Sequence, residues 1–275
     1  MPLDSSKTDT IRPGLLLVGH GTREEVGQQE FLETTAILSK LLVDMPVEPC
    51  FLELASPDIA TGVGRLVERG VSQMTVMPLM LLAGRHVRHD IPAETARASA
   101  RFPLLKIRHA PHLGGCDGLL RLSVQRYREA VHGAFAIDPG RTLLLLVGRG
   151  GSSAEALDEM NQFAGQHVAN IDAQRIMTCF LARQRPSLGE ALREVASESF
   201  DRVVVQPHLL FSGRLLARVR EEVAEFRRPV GDNTEWLLAE HLGACLELAE
   251  MIAESAFGGQ RDSGSEIRAA DVQST

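Results

Sequence analysis

Aromatic side chains are scarce in this chain. Phe, Trp and Tyr make up 4% of its residues, with one Trp and one Tyr. Single-stranded nucleic acid is usually held on aromatic platforms along a cationic groove. Cations are short as well: 29 Lys and Arg stand against 36 Asp and Glu, a formal net charge of −7. Affinity for nucleic acid rests on neutralised phosphates, so no nucleic-acid partner is expected. No apolar run approaches the roughly 20 residues that span a bilayer, so no membrane partner is expected. The opening MPLDSSKTDTIRPG is polar and has no apolar secretory core; a soluble cytoplasmic protein is expected. The four cysteines, Cys50, Cys116, Cys179 and Cys245, are far apart and form no CxxC pair. That excludes a zinc ribbon or a thioredoxin-type centre. Cys50, before Phe51 and Leu52, reads as a small buried side chain.

An internal repeat is present instead. Leu15-Leu16-Leu17-Val18-Gly19 recurs as Leu144-Leu145-Leu146-Val147-Gly148, an offset of 129. Cys50-Phe51-Leu52 recurs as Cys179-Phe180-Leu181 at the same offset, and Pro57, Pro78, Gly84-Arg85 and His112-Leu113-Gly114 recur as Pro186, Pro207, Gly213-Arg214 and His241-Leu242-Gly243. Two copies of one unit are therefore expected, over 11–133 and 141–260, each a lobe, with an Asp-Pro-Gly turn at the joint. The ends, 1–10 and 261–275, are polar and expected to be disordered.

Within each half, apolar runs alternate with helical periodicity. Strands are expected at 14–18, 47–54, 74–82 and 104–108. Helices are expected at 28–42, 57–70, 91–100 and 116–131. Met74, Met77 and Met80 read as core. Strand–helix alternation gives an α/β fold, a parallel sheet with helices on both faces, built twice.

In such sheets ligands bind beyond the carboxyl ends of the strands. The first strand delivers His20, with Gly21 expected to let a ligand approach the backbone. The second delivers Glu53. The third leads into LLAGRHVRHD, with Arg85, His86, Arg88 and His89, and the fourth into His109 and His112. Each of these, taken alone, has an ordinary structural explanation. The repeat separates them. In the second half Arg149 stands for His20, Ala182 for Glu53 and Leu215 for His86, while the surrounding scaffold persists. Residues lost as a set belong to a function used once per chain. His112 persists as His241 and reads as structural, a helix-entry hydrogen bond. Neutral imidazoles suit Fe²⁺, Co²⁺, Ni²⁺ and Zn²⁺. Two histidines with a carboxylate leave metal positions open, which suits transfer of an ion better than a closed structural site.

These motifs, LLLVGHGTR, CFLEL at 50–54 and VMPLMLLAGRHVRHDIP at 76–92, resemble the class II chelatases of the sirohydrochlorin cobaltochelatase/ferrochelatase family. LLLLVGRGG and VVVQPHLLFSGRLL are similar to the degenerate half of its two-domain form. The resemblance covers about residues 11–255. It implies two tandem flavodoxin-like lobes and ATP-independent insertion of a divalent metal, Co²⁺ ahead of Fe²⁺, into sirohydrochlorin. It implies that His20 and His86 hold the metal and that Glu53 is a base or ligand. The metal is then a substrate, and no permanently bound cofactor is expected. Sirohydrochlorin carries eight carboxylates and the chain is itself acidic, so local cations must receive it: Arg23, Arg85 and Arg88, and Arg149 and Arg214 in the repeat. A salt bridge from Arg149 to Glu155 or Asp158 is the competing explanation for that residue. The repeat supplies internally what a dimer of half-length chains would, so a monomer is expected. Two other readings stand beside this one. A metal chaperone on the same fold would use the same residues. A histidine phosphatase would need an Arg immediately before the His, where Gly19 stands.

Overall fold

The computed structural model describes residues 11–135, 137–151, 154–226 and 234–258. The ends expected to be disordered, 1–10 and 261–275, lie outside the described residues, as do residues 152–153, 227–233 and 259–260 of the second lobe. The first half runs β1 (Pro13–Gly19), α1 (Glu25–Leu41), β2 (Val47–Phe51), α2 (Ile59–Glu68), β3 (Gln73–Pro78), α3 (Ile91–Ser99), β4 (Lys106–His109) and α4 (Asp117–Val131). The second runs β5 (Thr142–Gly148), α5 (Ala154–His167), β6 (Arg175–Phe180), α6 (Leu188–Ala196), β7 (Arg202–His208), α7 (Arg214–Phe226), β8 (Glu235–Leu238) and α8 (Leu246–Phe257). Each half forms a parallel four-stranded sheet, in the orders β2-β1-β3-β4 and β6-β5-β7-β8. β1 and β5 are central, which is why their sequences are unbroken apolar runs: both faces are covered. Leu15 to Val18 and Leu143 to Val147 are fully buried. No helix among the described residues is long and apolar enough to cross a membrane.

Local signals set the boundaries. Asp58 caps α2 by accepting from the Thr61 amide at 2.8 Å, and its repeat Ser187 opens α6 with a full capping box to Glu190. Three strands end earlier or begin later than periodicity predicts. β2 stops at Phe51, where the Phe51 amide turns to the Pro57 carbonyl (2.8 Å) and Leu54 adopts φ +64°. β3 stops at Pro78, because its partner β1 ends at Gly19. β4 begins at Lys106, after a turn closed by the Leu105 amide on the Phe102 carbonyl. The methionines behave as core: Met74 and Met77 are buried in separate apolar layers, and Met80 packs against that of Met74.

The sequence repeats are not the packing units. α8, from the second half, packs on α1, α4 and β3. Its Leu248, Met251 and Ile252 share one core with Leu15, Leu17, Phe31 and Met77. α4, from the first half, packs on α5, β7 and β8. Its Tyr127 joins Leu144, Val204 and Ala239, and Gln206 donates to the carbonyl (2.8 Å) and hydroxyl (2.7 Å) of Ser123. Arg108 in turn donates to the Ala256 carbonyl at the end of α8. Each half thus lends its last helix to the other's sheet. At about 1.5–3 kcal/mol per large apolar side chain buried, this exchange makes the two lobes one cooperative body.

One buried group makes the second sheet acid-sensitive. His208 ends β7 where the first half has Leu79, stacks on Phe163 (centroids 4.4 Å apart) and is buried. Its Nδ1 has no hydrogen-bond partner among the described residues. Burial, helped by nearby His167, pushes its pKa down to about 3. The unfolded chain takes a proton at its ordinary value near 6.5, the folded chain only near 3. This stability is therefore complete above pH 6.5 and is lost as pH falls through the window between, by up to about 1.4 kcal/mol per unit. His208→Leu is expected to remove that slope. In urea unfolding, wild type should lose about 2 kcal/mol more than the variant between pH 7 and 5; parallel curves would refute the assignment.

Candidate metal centre

Three side chains from three strand ends converge at the carboxyl edge of the first sheet. His20 follows β1, Glu53 lies two residues beyond β2, and His86 follows the loop from β3. One ligand atom from each lies within 4.8 Å of the other two, and this is the metal-capable cluster found among the described residues. His20 Nε2 stands 3.5 Å from Glu53 Oε1. The two imidazoles meet edge to face, centroids 4.9 Å apart. Metal–nitrogen bonds of about 2 Å place neighbouring ligand atoms about 3–3.5 Å apart, so a small closing movement would bring all three onto one ion. The side chains are 26%, 50% and 37% exposed for His20, Glu53 and His86, so an ion and a large substrate can both reach them.

Both rings are held so that the same nitrogen is free. His20 Nδ1 donates to the Gly21 carbonyl at 3.1 Å. A carbonyl can only accept, so the proton sits on Nδ1 and Nε2 keeps its lone pair. His86 Nδ1 donates to Asp90 Oδ2 at 2.8 Å, the carboxylate–histidine arrangement that fixes ring orientation and raises ligand basicity. His86 opens a wide helical turn, His86–Asp90, that runs directly into α3. There Asp90 lies four residues on, over the same face. The His86 bond, with Arg85 assisting, holds the Asp90 carboxyl below the usual carboxylate range. Burial lowers the His20 pKa, and the charges of Arg149 and His86 add to it, against the Gly21 carbonyl and Glu53. His20 is therefore neutral, and able to ligate, at neutral pH.

Gly21 has a different task from the one expected of it. Its φ is +96°, and a Cβ there would stand 1.7 Å from the Glu53 carbonyl oxygen. The backbone that approaches is the protein's own. The Glu53 amide donates to the His20 carbonyl (3.1 Å) and the Leu52 amide to that of Gly19 (2.9 Å), which locks the loops after β1 and β2 together. The second half repeats this scaffold without its chemistry. Gly150 has φ +82° with the Ala182 carbonyl 1.9 Å from its would-be Cβ, and the Ala182 amide donates to Arg149.

The remaining candidates divide. Arg149, across from the first-half cluster, is exposed yet close enough for its charge to act on His20. No ion pair with Glu155 or Asp158 forms among the described residues. Arg85 is engaged by Asp90 at 3.4 Å. Arg23, Arg88 and Arg214 are exposed without ion pairs among the described residues. His89 is exposed, and His109 reaches the Thr95 hydroxyl at 3.4 Å; neither joins the cluster. His112 and His241 reach across the lobes and not to their own helix entry: His112 meets Glu159 at 3.7 Å and His241 meets Glu30 at 3.1 Å. Sequence reasoning missed Asp90, whose i,i+4 spacing from His86 was the available signal. It also missed Glu30 and Glu159, which are each other's repeats.

The family model described as CbiX matches residues 14–130 and 143–257. The sirohydrochlorin ferrochelatase of Priestia megaterium is 31% identical over 241 residues, covering 87% of either chain. A sirohydrochlorin cobaltochelatase of the same organism is 27% identical, covering 89% of this chain and 79% of its own. Among solved structures, SirB from Bacillus subtilis with Fe³⁺ superposes with a TM-score of 0.77 at 25% identity, over 91% of this chain and 98% of its own. SirB from Bacillus subtilis subspecies spizizenii in complex with cobalt gives 0.72 at 27% identity, with the same coverage.

Proposed function

The chain belongs to the CbiX family, and from that premise we propose that it is a sirohydrochlorin chelatase, inserting Co²⁺ or Fe²⁺ into the tetrapyrrole as a monomer in the cytoplasm. The observation that carries this is the asymmetry of a duplicated scaffold. His20, Glu53 and His86 converge in one half, and Arg149, Ala182 and Leu215 stand at the same places in the other.

In this reading the metal arrives as a substrate on His20 Nε2 and His86 Nε2. Glu53 either completes the ligand set or accepts a proton. Two pyrrole N–H protons leave as two metal–nitrogen bonds form, and each imidazole freed of the metal can take one of them. Asp90 keeps His86 in the tautomer that binds. Incubating the protein with sirohydrochlorin and Co²⁺, Fe²⁺ or Ni²⁺ side by side tests the proposal. The tetrapyrrole absorption should shift at a rate proportional to enzyme with Co²⁺ and Fe²⁺. A chaperone would bind Co²⁺ and leave the spectrum unchanged, and that outcome would reject insertion.

Arg149, from the other lobe, is near enough for its charge to act on His20 and has no carboxylate partner among the described residues, so it takes a carboxylate of sirohydrochlorin. Arg23, Arg88 and Arg214 serve the same anion from the rim, and Arg85 does so once released from Asp90. A charge-assisted hydrogen bond of about 1.5–3 kcal/mol sets the expectation. Arg149→Ala should raise KM for sirohydrochlorin at least about tenfold with kcat held, and an unchanged KM rejects the contact.

A further inference from the structure

Two carboxylates cross between the lobes, and the repeat relates them. Glu30 on α1 accepts from the Ser212 amide (2.6 Å) and hydroxyl (2.7 Å) and meets His241 Nε2 at 3.1 Å. Glu159 on α5 accepts from the Ala83 amide at 3.2 Å and stands 3.7 Å from His112 Nε2. Residue by residue, Glu159, Ala83 and His112 are the repeats of Glu30, Ser212 and His241. The two clasps differ in what they hold. Ser212 belongs to the half without metal-side residues. Ala83 lies three residues before His86, in the loop that leaves β3 and delivers that imidazole.

The loop is gripped at few other points. The Leu113 amide donates to the Met80 carbonyl at 2.9 Å. Gly114 lets the Leu81 carbonyl come within 2.2 Å of where a Cβ would stand. Beyond Ala83 the chain holds itself: the Val87 and Arg88 amides donate to the Gly84 carbonyl at 3.1 and 3.2 Å, starting the turn that carries His86. Among the described residues the Ala83 amide is therefore the last hydrogen-bonded tether from outside the segment before His86, and its acceptor comes from the opposite lobe.

We propose that Glu159 is a positioning residue for the metal site: across the lobe interface it fixes the Ala83 backbone and so the place of His86. The proposal rests on the reading of His86 as a metal-holding residue. It assigns the degenerate half a task at the metal, distinct from receiving the tetrapyrrole. The active part of Glu159 is an acceptor oxygen at a set reach. Its charge matters to His112, not to the loop.

The test is Co²⁺ affinity of the full chain without tetrapyrrole, read by calorimetric titration, with thermal unfolding recorded for each variant. Losing the direct outer partner of a metal ligand, as Asp90 is for His86, costs about 10–100-fold in affinity; Glu159 acts one step further out, through the Ala83 backbone, and Glu159→Ala is expected to weaken binding by about tenfold or more. Glu159→Asp keeps the charge, withdraws the oxygen by one methylene and should weaken binding about tenfold even if the alanine variant folds poorly. Glu159→Gln still accepts from the Ala83 amide and should bind as wild type does, as should His112→Ala, which leaves that bond in place. Wild-type affinity in Glu159→Ala and Glu159→Asp overturns the proposal if His86→Ala loses binding. Equal weakening in Glu159→Gln or His112→Ala also overturns it, because charge or general lobe packing would then be the cause. Wild-type binding in His86→Ala would instead remove the reading on which it rests.

Discussion

His20→Ala and His86→Ala are each expected to slow metal insertion by about 10²–10⁴-fold while the chain unfolds at the wild-type temperature. The two halves of that expectation have separate grounds. Loss of function follows from what each ring presents. His20 and His86 each commit Nδ1 to a hydrogen bond, to Gly21 and Asp90, and so leave a lone pair on Nε2, in a cluster that Glu53 completes. Removing either leaves one imidazole and an exposed carboxylate, too few fixed ligands to hold an ion against water. Retention of the fold follows from exposure. His20 stands on the loop after β1 and His86 at the first position of the helical turn before α3, neither belongs to an apolar core, and such substitutions usually cost within about 0.5 kcal/mol. Insertion rates and thermal unfolding measured on the same preparations decide it. A variant with full activity removes that residue from the centre. A variant that unfolds shows that its ring was structural after all.

Gly21→Ala should do the opposite and damage fold and site together. A side chain at φ +96° carries strain on the order of 1–3 kcal/mol. The larger problem is the Glu53 carbonyl oxygen at 1.7 Å from the new carbon, a backbone atom that cannot rotate away. The loops after β1 and β2 must part, which breaks the Glu53–His20 backbone bond and separates the ligands. We expect stability to fall by about 3 kcal/mol or more and Co²⁺ binding to be lost. Gly150→Ala is the internal comparison. It meets the Ala182 carbonyl at 1.9 Å and φ +82°, so its stability should fall equally, with Co²⁺ binding kept wherever the chain remains folded. Denaturant unfolding and Co²⁺ titration of both variants separate the two effects. Equal Co²⁺ affinities in the two would show that Gly21 holds the fold and not the site.

These expectations depend unequally on sequence and structure. The three cluster residues were legible because the chain carries its own comparison. His20, Glu53 and His86 disappear together from a repeat whose scaffold is retained, and strand-end position supplied the rest. Asp90 was visible in HVRHD but unremarked, since its meaning depends on a helical turn beginning at His86 itself. Gly21 was assigned an approaching ligand because a sequence cannot show which backbone passes beside a glycine. The repeat shows that His112 is kept in both halves but cannot show its partner, because Glu159 lies on α5 of the other half.

By itself the sequence determined the alternating strands and helices, the duplication, and the residues that differ between the copies. Periodicity and offset are properties of a line of residues. The tertiary structure alone decided how the halves combine: α4 and α8 exchange sheets, Glu30 and Glu159 cross the interface, and Arg149 comes near enough for its charge to act on His20. The two copies carry nearly the same apolar pattern, so either sheet offers either helix a matching face. Pattern cannot choose between them. Chain geometry and the packing of particular side chains do, and they bring the loop that carries His86 against Glu159 of the other half.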